Sequence, residues 1–203
     1  MEIREPRTRD RPAIRDVARR SLEASYSLGP RAITGAIKEW YDENRLRDIV
    51  SDDERLLLVV EEDTQVVGFS ESVITGEATA QLLWLHIDPD YRGENYGQQL
   101  FDTTRDHLEG QGIDTLQGRV LADNQAGNAF YEAQGLTKVG EETVDIDGTS
   151  YAEHVYADVD EDGLEAVEVD GETVYVSHSS TETGSIAPFH VIYTEPDRED
   201  IYG

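Results

Sequence analysis

"DPDYRGENYG", residues 88–97, lies between the apolar run "QLLWLHI" (81–87) and "QQLFDTTRDHL" (98–108), whose apolar residues recur with a helical period. An apolar run, a Gly-containing turn and an amphipathic helix read as a strand–turn–helix unit, the building block of an α/β domain. Such a turn has plain uses as a tight connection, a helix cap or a solvated loop. It has a sharper use too, because a helix N-terminus presents unpaired N–H groups and the positive end of the helix dipole to an anion. The turn lacks the Gly-Lys-Ser/Thr of a P-loop and does not fit the dinucleotide fingerprint.

Working outward, residues 2–8 read as a short strand. A helix follows, capped at Thr8 or Asp10, with Ile14, Val17, Ala18 and Leu22 on one face. Gly29-Pro30 breaks the chain before a second helix that turns Ile33, Ile37, Trp40 and Tyr41 inward. "RLLLVVEEDTQVVGFSESVIT" reads as two strands around residues 61–64, and "ATAQLLWLHI" as a buried strand leading into the turn. After the helix with Leu100, Phe101, Thr104 and Leu108 come the strand "TLQGRVL", a short helix "NQAGNAFYEAQG" and two strands around Asp147-Gly148. The expected order is β-α-α-β-β-β-α-β-α-β-β, one α/β core ending near Val159. Residues 160–203 lack a helical period. There "LEAVEVDGETVYVSH" reads as a hairpin and "FHVIYTEP" as a further strand, a small acidic β appendage. Its apolar strand would leave an exposed edge, which points to a homodimer or partner role.

Composition narrows the function. The 203 residues hold 44 acids against 17 Lys and Arg, a formal net charge of -27. The carboxylates run along the whole chain and Lys38 and Lys138 are the two lysines, a pattern that suits molar intracellular salt, where repulsion is screened. Nucleic-acid binding is disfavoured for want of clustered bases. Residues 1–55 hold 12 of the 17 basic residues, local positive charge that can help hold an anionic cofactor. The chain contains no cysteine, which removes disulfides, thiolate metal sites and a cysteine acyl-enzyme. No run of 18 apolar residues and no signal-like N-terminus is present, so a cytoplasmic protein without a membrane span is expected. His107, His154, His178 and His190 have no metal-ligand spacing, and no metal site is expected.

Three features carry chemistry. The first is Arg92, Gly93, Glu94, Asn95, Tyr96, Gly97, an Arg-x-x-Asn-x-Gly turn. Asn is the non-glycine residue that best tolerates a positive φ, so it can replace glycine there. The second is the strand before it, with His86 on the face opposite Leu85 and Ile87. The third is Asn124, Asn128 and Tyr131 at i, i+4 and i+7, sharing one face of a short helix that ends at Gly135-Leu136. A solvated polar face is the plain alternative for that third set.

Together these elements resemble the GNAT superfamily of acyl-CoA-dependent N-acyltransferases over roughly residues 2–158. The resemblance implies a mixed central sheet flanked by helices. It also implies acetyl-CoA as acyl donor and an amine acceptor, a small molecule or a protein. The amides of Arg92 through Gly97, with Gln98, would bind the pyrophosphate, although Asn95 replaces the usual glycine and Glu94 is unexpected in a phosphate loop. The backbone around Leu85, His86 and Ile87 would pair with the pantetheine arm. Asn124 and Asn128 would face the cofactor, and Tyr131 would stand beside the thioester sulfur as general acid. A phenol of pKa about 10 can protonate a departing thiolate of pKa about 8.5. Glu71 and His86 are the candidates for the base. Two carboxylates usual in parts of the family are replaced here, by Gln81 and Arg119. Direct transfer in a ternary complex is the simplest scheme without a cysteine. The alternatives are a catalytically silent acyl-CoA sensor, against which Tyr131 weighs, and an interaction protein whose turn binds nothing.

Overall fold

The computed structural model describes residues 1–159, apart from positions 26, 51, 53 and 77, and the backbone of three further strands between 164 and 193. Strand β1 is Glu2–Arg4, followed by helices α1 (Arg11–Ser25), α2 (Pro30–Trp40) and α3 (Glu43–Val50). Strands β2 (Arg55–Glu62), β3 (Gln65–Ile74) and β4 (Thr79–Ile87) lead to α4 (Tyr96–Glu109). Then come β5 (Thr115–Leu121), α5 (Gln125–Ala133), β6 (Thr137–Ile146) and β7 (Thr149–Ala157). The sheet order is β1-β2-β3-β4-β5-β7-β6. All its ladders are antiparallel except β4–β5, the pair joined by the α4 crossover.

Most of the expected elements are present, with two differences. The first strand stops at Arg4 because Asp10 takes over the following turn. Its carboxylate accepts from the Arg7 amide at 2.7 Å and from Arg4 Nη1 at 2.7 Å, while Arg4 also pairs with Glu61. Helix α3 is the second difference. Among its described side chains, "ENRLRDIV" has Leu46 and Ile49 as buried apolar contacts, too few for periodicity to reveal. The turns of the β2–β3 and β6–β7 hairpins need left-handed residues and have them, Asp63-Thr64 at φ 46° and 69° and Asp147-Gly148 at 50° and 76°.

The sheet is packed on both faces. Ile14, Val17 and Ala18 of α1, Ile33 and Ile37 of α2 and Leu46 of α3 cover one face, meeting Phe69, Val144 and Ile146. On the other face Phe101 and Leu108 of α4 pack with Leu116, Val120, Tyr131 and Tyr156. The helical stripe read from the sequence, Leu100, Phe101, Thr104 and Leu108, is buried throughout. Each such apolar side chain contributes roughly 1.5–3 kcal/mol by leaving water. No helix of the described residues is long and apolar enough to cross a membrane.

Strands β8 (Leu164–Val169), β9 (Glu172–Ser177) and β10 (His190–Tyr193) form a separate antiparallel sheet in the order β10-β9-β8. The expected hairpin and third strand are therefore present. The edge exposure and the terminal "REDIYG" lie outside the described residues.

Candidate functional site

The site begins where the sheet opens. Strands β4 and β5 pair from Thr79↔Thr115 to Leu82↔Gly118 and no further, although β4 runs on to Ile87 and β5 to Leu121. A bulge in β4 at this level, between the Glu71↔Trp84 and Ser72↔Leu82 pairs, keeps β4 on β3 while it leaves β5. The strands thus part, exposing backbone edges that each would offer an extended ligand. A cleft of about 800 Å³ occupies this opening and reaches from α1 and α2 to the N-termini of α4 and α5.

At one end lies the opening turn. Gly93 has φ 86° and Asn95 φ 64°, so both stand in the left-handed region, and Asn95 is the N-cap of α4 without a side-chain cap. The first backbone bond of α4 runs from the Gln99 amide to the Asn95 carbonyl at 3.1 Å. The amides of Tyr96, Gly97 and Gln98 precede it and have no helical acceptor. Gly97 lies over Leu85, Ile87 and Phe130, 3.6–3.8 Å from where a Cβ would sit. The Arg92 side chain does not extend toward this nest. Its Nη2 donates to the Ser21 hydroxyl at 3.0 Å and the Ser21 carbonyl at 3.3 Å, and its Nε to the Ile87 carbonyl at 3.3 Å. Arg20 adds bonds of 2.6 Å to Asp88 and Asp90, so α1 clamps the turn twice. Glu94 is exposed and does not line the cleft. No basic residue of 1–55 lines the cleft among the described residues, and Arg4, Arg20, Arg31 and Arg55 are spent on carboxylates.

Tyr131 occupies the apex of the opening. A Cβ on Gly118 would lie 2.5 Å from its Cε1 and Cζ and 2.8 Å from its hydroxyl, so only glycine lets the ring lie on β5 at the last residue paired with β4. The ring stacks on Tyr156 at 5.4 Å. Burial holds the phenol well above its ordinary pKa, Glu153 raises it further and Arg119 opposes both. The group stays protonated and can donate.

The other expected residues separate. Leu85 and Ile87 face α4, and His86 faces the opposite side, as the alternation of a strand requires. His86 is buried between the Tyr41 hydroxyl and the Ser21 hydroxyl, 3.0 Å from each, and stacks on Trp84 at 5.8 Å. Burial, with Arg92 adding, pushes its pKa down to about 3, so the ring is neutral at physiological pH. Glu71 lies outside the cleft lining. It is 1% exposed and bonded to Arg55 Nη1 at 2.8 Å, with burial raising its pKa against the pull of Arg55 and Arg45. Asn124 lines the cleft and caps α5, accepting from the Gly127 amide at 3.1 Å. Asn128 has a structural task instead. Its Nδ2 donates to the Leu121 and Asn124 carbonyls, and its Oδ1 bonds Tyr156 and His154, pinning α5 to β5 and β7.

Sequence reasoning gave Glu153 no role and read Trp40 only as an inward-facing helix residue, and both line the cleft. Glu153 is 7% exposed, and Trp40 packs on Trp84 at 4.7 Å. The signal for Glu153 was present: it alternates with Val155 and Ala157 on the inward face of β7. Among the described residues no group of acids, histidines or cysteines is arranged to hold a metal.

Comparison with known proteins agrees with this geometry. Residues 14–136 match the model of the Acetyltransferase (GNAT) family, and residues 170–203 that of a family of unknown function (DUF5816). Mycothiol acetyltransferase of Streptomyces coelicolor is 37% identical over 79 residues, covering 38% of this chain and 26% of that protein. The ribosomal protein bS18 alanine N-acetyltransferase of Escherichia coli is 38% identical over 66 residues, covering 32% and 43%. The chain spans less than half the length of these curated relatives. Among solved structures, PaiA N-acetyltransferase of Thermoplasma acidophilum in complex with coenzyme A superposes with a TM-score of 0.63 at 26% identity, over 75% of this chain and 96% of that one. A GCN5-related N-acetyltransferase of Rhodopseudomonas palustris gives 0.65 at 20% identity, over 77% and 93%.

Proposed function

The chain belongs to the GNAT family of acetyltransferases, and from that premise we propose that it moves an acetyl group from acetyl-CoA to the amine of a small molecule or a protein. The observation that carries the reading is the meeting in one cleft of parted strands, an amide nest and a protonated phenol. The nest of Gly93 to Gln98 suits a pyrophosphate, and the edge of β4 from Leu85 to Ile87, which β5 does not pair, suits the amides of a pantetheine arm. The thioester is the chemistry acetyl-CoA supplies. Tyr131 then stands where the thiolate departs and gives it a proton, and the buried apex excludes water that would hydrolyse the donor. Transfer proceeds in a ternary complex, since the chain has no cysteine to carry the acyl group. A silent acyl-CoA sensor is not favoured, because binding alone does not call for a buried phenol at the apex. Of the two residues first considered as base, His86 is neutral with both ring nitrogens bonded, and Glu71 lies away from the opening.

Calorimetric titration of acetyl-CoA in concentrated KCl, beside Arg92→Ala, tests the reading. Tight binding that the variant weakens about tenfold is expected, because Arg92 ties the nest to α1. No binding by the folded wild type would remove the acyltransferase reading. In the same reading residues 1–159 are the transferase domain and 160–203 an extension that builds a dimer or meets a partner. The distributed carboxylates adapt the chain to a salt-rich cytoplasm. Removal of 160–203 with no change in solution mass or solubility would refute the role given to the extension.

A further inference from the structure

The cleft has a second wall, on the α1–α2 side of the sheet. Trp40 and Trp84 pack there at 4.7 Å, and Leu28 of the α1–α2 connection, Leu121 of β5 and Ile146 of β6 continue it. In a chain with 44 carboxylates this wall is almost free of charge. Its charged groups are Arg119 and Glu153, at the inner end beside Tyr131. Arg119 is held by Glu142, with Nε and Nη2 each 3.2 Å from a carboxylate oxygen. Glu153 lies opposite Leu121 on one neighbouring strand and opposite Glu142 on the other, which fixes it on the same face as the apolar wall. Arg119 is thus matched by Glu142, and the buried Glu153 is a second carboxylate at the inner end of an apolar pocket, close enough to act on the Tyr131 phenol.

We infer that this wall is the acceptor subsite, that its acceptor is a primary amine carried on an apolar or aromatic body, and that Glu153 holds the ammonium and takes its proton. The inference rests on the acetyl-transfer reading above. An apolar body gains by leaving water against the indoles, and an ammonium gains by meeting a carboxylate there. A polycation would have to bury further charges without partners, and an acidic acceptor would meet Glu153 with like charge. One proton of R–NH3⁺ passes to the Glu153 carboxylate and out to solvent, leaving a neutral nitrogen. That nitrogen forms the C–N bond at the thioester carbonyl carbon. The C–S bond breaks and Tyr131 gives its proton to the sulfur. A second N–H proton, relayed through Glu153, restores Tyr131, and the products are the acetamide, the free thiol and one proton.

The test measures thiol release by a disulfide reagent, with no background from a protein that contains no cysteine. The acceptors are 2-phenylethylamine and spermidine, with wild type, Glu153→Gln and Glu153→Asp. Acetyl-CoA binding by calorimetry is measured first on all three. The expected result is turnover of 2-phenylethylamine at least tenfold faster than spermidine at equal concentration. Glu153→Gln should lose about 100-fold in kcat/KM with acetyl-CoA affinity within threefold, and Glu153→Asp should recover part of it. Wild type that binds acetyl-CoA but prefers spermidine, or turns over neither amine, overturns the acceptor class. Unchanged kcat/KM in Glu153→Gln overturns the role of the carboxylate. Wild type that does not bind acetyl-CoA overturns the transferase reading itself. If Glu153→Gln does not fold, the pH profile of Glu153→Asp decides, since a proton acceptor shifts the acid limb of kcat/KM and a structural residue leaves it in place.

Discussion

Gly118→Ala tests the apex of the site without replacing any group that reacts. The added Cβ would lie 2.5 Å from two ring carbons of Tyr131, while carbon atoms pack at about 3.5–4.0 Å, so ring and strand must separate by roughly 1 Å. Overpacking of this kind costs about 1–3 kcal/mol, offset in part by the roughly 0.5–1 kcal/mol that alanine gains over glycine in a regular element. The melting temperature should therefore fall by no more than roughly 10 °C. The effect on rate is larger in proportion, because a misplacement of about 1 Å costs on the order of 100-fold. The assay is thiol release with an amine that the wild type accepts, beside calorimetry with acetyl-CoA. We expect kcat to fall about 100-fold and the affinity for acetyl-CoA to stay within a few-fold. Combined with Tyr131→Phe, the loss should be no greater than that of the worse single change, since both act through one hydroxyl. Wild-type kcat in a folded Gly118→Ala protein, or losses that multiply in the double variant, would refute the placement of Tyr131 at the reacting sulfur.

Tyr131→Phe alone should lower kcat by roughly 10²–10⁴ with acetyl-CoA binding retained, checked by turnover and calorimetry side by side. His86 gives a prediction of stability against pH. Its pKa lies near 3 in the folded chain and about 6.5 unfolded, so the unfolded chain takes up the proton first and stability is lost as pH falls from about 6.5 toward 3. Between pH 6.5 and 4.5 the wild type should lose roughly 2 kcal/mol more than His86→Gln in urea unfolding. Equal losses would show that the ring is not held neutral.

How much of this was legible depends on the kind of signal. The strand–turn–helix around residues 88–97 was legible because each part has its own periodicity, and Asn95 at a positive φ follows from its side chain. Tyr131 was legible by its place on the α5 face, but its partner Gly118 was not, since one glycine in a strand says nothing of which ring lies on it. Asn128 shows the limit of face arguments. It shares the face of Asn124 and Tyr131, yet the carbonyls of β5 and the side chains of β7 reach it first. The ion pair of Glu71 with Arg55 was not legible for a similar reason, because it needs β2 and β3 in register, and register is not printed in either strand alone. Alternation with Val155 and Ala157 marks Glu153 as inward, but its place beside Tyr131 follows only once β7 is set between β5 and β6, an order that is not the order of the chain.

In the proposed reading, so acidic a chain would hold a phosphate-bearing ligand without free basic side chains. Basic side chains at the cleft are Arg92 and Arg119, and both already have protein partners. The positive potential for an anion would therefore come chiefly from the amides at the N-terminus of α4, which act by direct contact. A lysine- or arginine-built cradle weakens with salt, because long-range attraction is screened. Here the long-range term has the opposite sign, since a formal charge of -27 repels the phosphates until salt screens it. Binding of acetyl-CoA should accordingly hold or tighten between 0.2 and 2 M KCl, over about the range in which the Debye length falls from ~7 Å to ~2 Å. Calorimetric titration at four salt concentrations, with circular dichroism confirming the fold at each, measures this. A Kd that weakens tenfold across the range would mean that charged side chains, not backbone amides, hold the phosphates.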